Sequence, residues 1–167
     1  MKAIIVCVDF DDLLEISLAK NAKHFGQILV VTAPHDKRTI FLCQKYSNVL
    51  PYVTNAFYDD GAHFNKGLAI EYALSFIGRE GWLVTLDVDI ILPDPLPIDT
   101  SQLDTECLHG ARRRMCYNPG DYNEKDWNQY PIKVDGEIPG YFHLFHASAA
   151  VLHDQPWYGV DWTHAGG

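Results

Sequence analysis

"HFNKGLAIEYALSFIGREGWLVTLDVDIILP", residues 63–93, decides the fold. Its first half reads as a helix. Leu68, Ala69, Tyr72, Ala73, Phe76 and Ile77 recur at helical spacing as one apolar stripe, and Gly78 suits the closing position. Its second half, "WLVTLDVDIIL" (82–92), is a near-continuous apolar run, the pattern of a strand buried on both faces of a parallel sheet. Asp87 and Asp89 interrupt that run with one residue between them. Pro93 and the proline-rich "PDPLPID" (93–99) indicate that the chain leaves the sheet nearby, with the two carboxylates close to its edge.

The pattern extends outward toward the start of the chain. "KAIIVCV" (2–8) predicts a buried strand, and "DDLLEISLAKNAKHFG" (11–26) a helix. In that helix Leu14, Leu18, Ala22 and Phe25 share a face, Asp11 and Asp12 lie in the first turn, and Gly26 closes it. "QILVVT" (27–32) predicts a second strand, "TIFLCQKYS" (39–47) a short helix, and "NVLPYVT" (48–54) an edge strand, because Pro51 lacks a ladder donor. Strands alternate with helices up to about residue 90, which implies a mostly parallel α/β sheet flanked by helices. After Pro93 the character changes. "ECLHGARRRMCYN" (106–118) and "GYFHLFHASAAVL" (140–152) read as strands around a polar, turn-rich loop at 119–137. One domain is expected over 1–167, with halves at 1–93 and 94–167.

Composition narrows the function classes. The formal net charge of -9 over 167 residues disfavours a nucleic-acid backbone partner, which needs a basic face. The one basic cluster, Arg112–Arg114, suits a solvated turn or a local anion contact. No segment is long and apolar enough to span a bilayer, and the start reads as a strand rather than a leader. Cys7, Cys43, Cys107 and Cys116 form no C-x-x-C pair, so neither a zinc site nor a disulfide framework is indicated. Cys7 and Cys43 read as small core residues, and a reducing cytoplasm is the expected location.

Two D-x-D pairs compete as a metal site. Two carboxylates with room left for phosphate oxygens suit a hard cation such as Mg²⁺ or Mn²⁺. Asp9 and Asp11, after the first strand, resemble the opening pair of haloacid-dehalogenase-type phosphatases, with Thr32 and Lys66 placed in two further roles. The residues after Asp11 are not the small or turn-forming ones of that pattern, and Asp11 and Asp12 fit simpler roles as helix N-terminal acids. The later pair, Asp87 and Asp89, is the stronger choice.

The stretch from Phe64 to Pro93 resembles the catalytic core of GT-A-fold glycosyltransferases, the Rossmann-like nucleotide-diphospho-sugar transferase fold. It is most similar to the β-1,4-galactosyltransferase-like group, in which an F-N-[RK] helix start precedes a strand ending D-V-D-[LI]-[LI]-P. Phe64, Asn65 and Lys66 match the first part, and Asp87 to Pro93 the second. "GYFHLFHASAAVL" resembles that group's strand before the acceptor site, and "WYGVDWTHAGG" (157–167) the approach to its W-G-G-E-D segment, with Gly166 and Gly167 on the two glycines. The resembling stretches cover about a third of the chain. The resemblance implies transfer of a sugar from a nucleotide-sugar donor, a UDP-sugar by preference, to a glycan, lipid or protein acceptor, with inversion. Asp89 would hold Mn²⁺ or Mg²⁺, with Asp87 and Val88 against the metal or the donor. Lys66 would lie near the diphosphate or donor sugar, and Thr32, Ala33 and Asp36 would line the base pocket. Asp36 could equally be a loop acid or helix cap. The acceptor-side base would fall just beyond Gly167, which implies a C-terminally truncated chain, with Asp161 or Glu137 as fallback; His164 is a tentative metal ligand.

Other functions remain open from the sequence. A sugar-phosphate nucleotidyltransferase would open with a glycine-rich, basic loop after the first strand, and "VCVDFDDLL" has neither glycine nor lysine. A donor-binding module without a base is another reading. Nothing in the sequence sets the donor sugar, the acceptor or the oligomeric state.

Overall fold

β1 (Lys2–Val6), β2 (Gln27–Thr32), β3 (Val49–Val53) and β4 (Trp82–Asp87) run parallel, in the spatial order β3-β2-β1-β4. The computed structural model describes residues 1–116, 130–133, 140–154 and 156–160. The helices α1 (Asp11–Asn21), α2 (Lys37–Cys43) and α3 (Lys66–Ile77) connect the strands. A two-stranded ribbon, β5 (Arg113–Arg114) with β6 (Ile132–Lys133), stands apart. β7 (Phe142–His146) then joins the main sheet antiparallel to β4.

Strand alternation sorts the core into two layers. Ala3 and Ile5 face Leu14 and Leu18 of α1 and Leu42 and Cys43 of α2. Ile4, between them, faces the other way, with Phe57 and with Ala69, Ala73 and Leu74 of α3. The sheet is therefore sandwiched between helices, the expected mixed α/β fold with a mostly parallel sheet. β3 is the edge strand, as Pro51 predicts. Burial lifts the Cys7 thiol to about 11 and the Cys43 thiol to about 12, so both are inert core groups.

Four expectations change. The first strand stops at Val6 rather than residue 8. α1 ends at Asn21, and a 3₁₀ turn, Ala22–His24, follows. Gly26 does not cap it. The Asn48 side chain instead donates to the carbonyls of Ala22 and Phe25, both at 2.8 Å, and satisfies the helix end without a glycine motif. The buried face of α3 is Ala69, Ile70, Ala73, Leu74 and Ile77, while Tyr72 and Phe76 are exposed. A helix this apolar offers two stripes, and Phe76 packs outside the core on Tyr52, ring centroids 5.1 Å apart. Finally, 106–116 is largely irregular. β7 already takes the free edge of β4, and His109 makes a single bridge to Leu144 on the far side of β7.

Candidate active site

From β1 the chain steps to β2 and β3 on one side, then returns to place β4 on the other. The carboxyl ends of β1 and β4 therefore bound the switch-point crevice, where ligands of open α/β sheets bind. Val6 and Asp87 are paired in register there. A cleft of about 560 Å³ opens at this point, within the range of small-molecule sites. Asp9, Lys66, Asp87, Val88 and Asp89 line it together with Val6, Val8 and Leu13. Three aromatic rings complete its wall: Phe10, Tyr58 and Phe64, at 55%, 41% and 40% exposure.

Asp87 is the last residue of β4, and Val88 and Asp89 form the turn that follows. The turn closes by the Ile90 amide donating to the Asp87 carbonyl at 3.2 Å. Its exit is clamped by Asn21, a fully buried side chain at the end of α1. Asn21 donates to the Ile90 carbonyl and accepts from the Leu92 amide, both at 2.8 Å. The strand thus ends where the two carboxylates need it to end. Lys66 Nζ donates to Asp87 Oδ1 at 2.5 Å. The pair is 42% and 32% exposed, so its own contribution to stability is at most about 1 kcal/mol.

Helix ends divide the cleft electrostatically. α1 begins beneath it with Asp11 and Asp12 in its first turn, which disfavours a phosphate there. α3 has no acid in its first turn and opens with Asn65, which accepts from the Leu68 amide at 2.9 Å, and then Lys66. The anion-favouring corner is therefore at α3, beside Asp87. Among the described residues no three His, Cys, Asp or Glu side chains converge as an all-protein cage. Two carboxylates on one rim fit a hard cation only as part of a shell completed by substrate oxygens and water.

Asp9 lies in the left-handed region at φ 61, tolerated by aspartate more than by most residues. Its amide donates to Asp36 Oδ2 at 2.9 Å, and its carboxylate meets His35 Nε2 at 3.1 Å. Asp36 fills the helix-cap role left open for it: Oδ1 accepts from the Thr39 amide at 3.1 Å, and Oδ2 also takes the Thr32 hydroxyl at 3.2 Å. Burial raises the Asp36 carboxyl, but these hydrogen bonds outweigh it and hold the group below its ordinary value. Thr32 and Ala33 are fully buried. None of the three lines the cleft; Asp36 reaches it only through Asp9. Asp36→Ala should lower unfolding stability by about 1–2 kcal/mol, the range for a lost cap, as measured by urea denaturation. Because the folded-state value is depressed, the stabilisation is present above the carboxyl's unfolded value and lost as pH falls through the folded one.

No family model matches this chain, and no curated protein matches its sequence. Solved structures do resemble it. One is the 4-diphosphocytidyl-2C-methyl-D-erythritol synthase of Anaerococcus prevotii DSM 20548, at 16% identity over 87% of this chain and 70% of that one, TM-score 0.50. A second structure of a synthase of that name gives 13% identity, 87% and 74% coverage and a TM-score of 0.48. A mannosyl-3-phosphoglycerate synthase from Rubrobacter xylanophilus gives 25% identity and a TM-score of 0.39, over 53% of this chain. This chain spans only 30% of that protein's length. At 16% identity the first of these shows the fold alone: a GT-A-like, Rossmann-like α/β architecture with a mostly parallel central sheet. It does not reach the galactosyltransferase-like group.

Sequence reasoning brought Lys66, Asp87, Val88 and Asp89 to one place. It missed the ring wall of Phe10 and Tyr58 and several further contributors. Asp9 was set aside with Asp11, yet it shares the cleft with the later pair. Asn21 sits in an ordinary helix pattern with no sign of its long-range clamp. His143, grouped with nothing by spacing, meets Tyr158, with Nδ1 and Oη 3.3 Å apart. Glu71 lies on the buried face of α3, accepting from the Tyr158 amide at 2.6 Å and paired with Arg79. His146 packs edge-on against Trp82 at the opposite end of β4 from the cleft. Glu137, Asp161, His164, Gly166 and Gly167 lie outside the described residues.

Proposed function

We propose that the protein is a metal-dependent glycosyltransferase of the galactosyltransferase-like kind, taking a UDP-sugar donor. One observation carries this reading: Lys66, Asp87 and Asp89 meet on the rim of the cleft at the β1–β4 switch point. The likeness in fold to the Anaerococcus synthase is compatible with this reading. The two parts of the chain, 1–93 and 94–167, are proposed as the nucleotide and acceptor halves of one domain.

Roles follow from the geometry. Phe10, Tyr58 and Phe64 offer ring faces on which a uracil base can stack, an interaction of about 1–3 kcal/mol per base. Asp9 is placed to accept a hydrogen bond from the base or ribose. Lys66 and the first turn of α3 hold the diphosphate. Asp87 and Asp89 hold Mn²⁺ or Mg²⁺, which would neutralise charge developing on the leaving nucleoside diphosphate. Val6, Val8 and Leu13 line the cleft beside these charges. The acceptor-side base is proposed at Asp161, and the acceptor is a glycan, lipid or protein hydroxyl. Among the described residues no helix is long and apolar enough to cross a membrane.

The loop after β1 argues against nucleotidyl transfer, because "DFDD" puts acids where a triphosphate would need glycine and a cation. Incubation with UDP-sugars, Mn²⁺ and mixed acceptors, followed by ³¹P NMR, separates the readings. UDP released only in the presence of Mn²⁺ supports transfer. Pyrophosphate released from UTP and a sugar 1-phosphate would replace it with nucleotidyl transfer, and UDP binding without any release would leave a donor-binding module.

A further inference from the structure

The described segment Trp157–Val160 crosses α3 next to Lys66. Asn65 Nδ2 donates to the Val160 carbonyl at 2.8 Å. A Cβ on Gly67 would overlap the Gly159 carbonyl, whose carbon would lie 2.9 Å away, so only glycine admits this crossing. The residues on both sides of Lys66 are thus held by the same strap. Its anchor is Tyr158. The Tyr158 amide donates to Glu71 Oε1 on α3 at 2.6 Å, and its hydroxyl meets Thr85 Oγ1 on β4 at 2.6 Å and His143 Nδ1 on β7 at 3.3 Å. Trp157 fixes the strap from behind. Its indole N–H donates to the Leu152 carbonyl at 2.6 Å, Phe145 packs edge-on to its ring, and the Arg79 guanidinium lies 4.9 Å above it.

α3 carries Lys66 and β4 carries Asp87. Tyr158 spans the same gap one layer behind the Lys66–Asp87 pair, with one hydrogen bond to each element. Thr85 stands two residues before Asp87 and so shares its face of the strand. We infer that Tyr158 is a positioning residue: it sets the spacing between α3 and β4 and through it the Lys66–Asp87 contact at the cleft. His143 orients the hydroxyl. Burial first, then Lys66, lower its imidazole pKa, against a smaller opposing effect of Asp87.

The consequence for donor binding rests on the function proposed above, but the positioning itself does not. The test reads the pair directly. With ¹³C-labelled lysine, the Lys66 side-chain resonance is assigned by its loss in Lys66→Ala, and Asp87→Asn gives its position without the ion pair. Tyr158→Phe and Thr85→Val are each expected to move it toward the Asp87→Asn position, and Thr85→Ser to restore it. Gly67→Ala suits the helix by propensity while forcing the strap off. It should move the Lys66 resonance in the same direction and shift the Trp157 indole N–H signal, assigned by its loss in Trp157→Phe. Affinity for UDP with Mn²⁺ should fall about tenfold in Tyr158→Phe, Thr85→Val and Gly67→Ala, and hold in Thr85→Ser. A Lys66 resonance unmoved by Tyr158→Phe and Thr85→Val overturns the inference, as does an undisturbed Trp157 signal in Gly67→Ala. A wild-type chain that does not bind UDP removes the donor reading alone, because the lysine resonance is read without nucleotide.

Discussion

Asp89→Ala is expected to lower donor turnover by about 10²–10³-fold, the usual effect of removing one preorganised charge-stabilising group. Asp11→Ala should leave it within a few-fold. The difference follows from where the two side chains stand. Asp89 lies in the turn after β4, in the cleft and next to Asp87 and Lys66. Asp11 opens α1, where an acid serves the helix dipole. Steady-state rates with saturating Mn²⁺ check this, and circular dichroism confirms that both variants keep the fold. The reverse pattern, a large loss in Asp11→Ala and little in Asp89→Ala, would return the metal to the first D-x-D and revive the phosphatase reading.

Lys66→Ala is expected to act in opposite directions on the two ligands. Without nucleotide, Lys66 competes for Asp87 at 2.5 Å and repels a cation, so its removal should tighten Mn²⁺ binding. With nucleotide, the ammonium is a diphosphate partner, and its loss should weaken UDP binding by about 1–3 kcal/mol. Titrating Mn²⁺ alone and then UDP in excess Mn²⁺ reads both signs. A variant that binds both ligands as the wild type does would make the lysine an ordinary surface ion pair.

The half of the fold before Pro93 was legible because its signals are local. Buried parallel strands are continuous apolar runs, and α2 and α3 carry side-chain caps at Asp36 and Asn65, three residues from the amides they satisfy. That Asp87 and Asp89 stand where a strand ends was legible for the same reason, since strand, carboxylates and proline follow in a dozen residues. What stayed hidden depends on contacts far apart in sequence. Asn21 reaches the backbone 69 and 71 residues away, and Asn65 meets Val160 across 95. Asp9 and Asp87 share a cleft only because β1 and β4 are neighbours at the switch point, which no spacing reveals. The exposed stripe of Tyr72 and Phe76 misled because α3 is apolar on more than one face, so periodicity fixed the helix but not its rotation. The pairing of β5 with β6 was invisible because two residues a strand are too few to show a period.

The central claim is that the cleft at the ends of β1 and β4 binds a nucleoside diphosphate through a divalent cation held at Asp87 and Asp89. Isothermal titration of UDP into the unmodified chain, once with Mn²⁺ and once with EDTA, tests it most directly. The account predicts saturable binding with Mn²⁺ and loss of that binding with EDTA. Binding of equal strength in both would contradict it, and so would no binding in either.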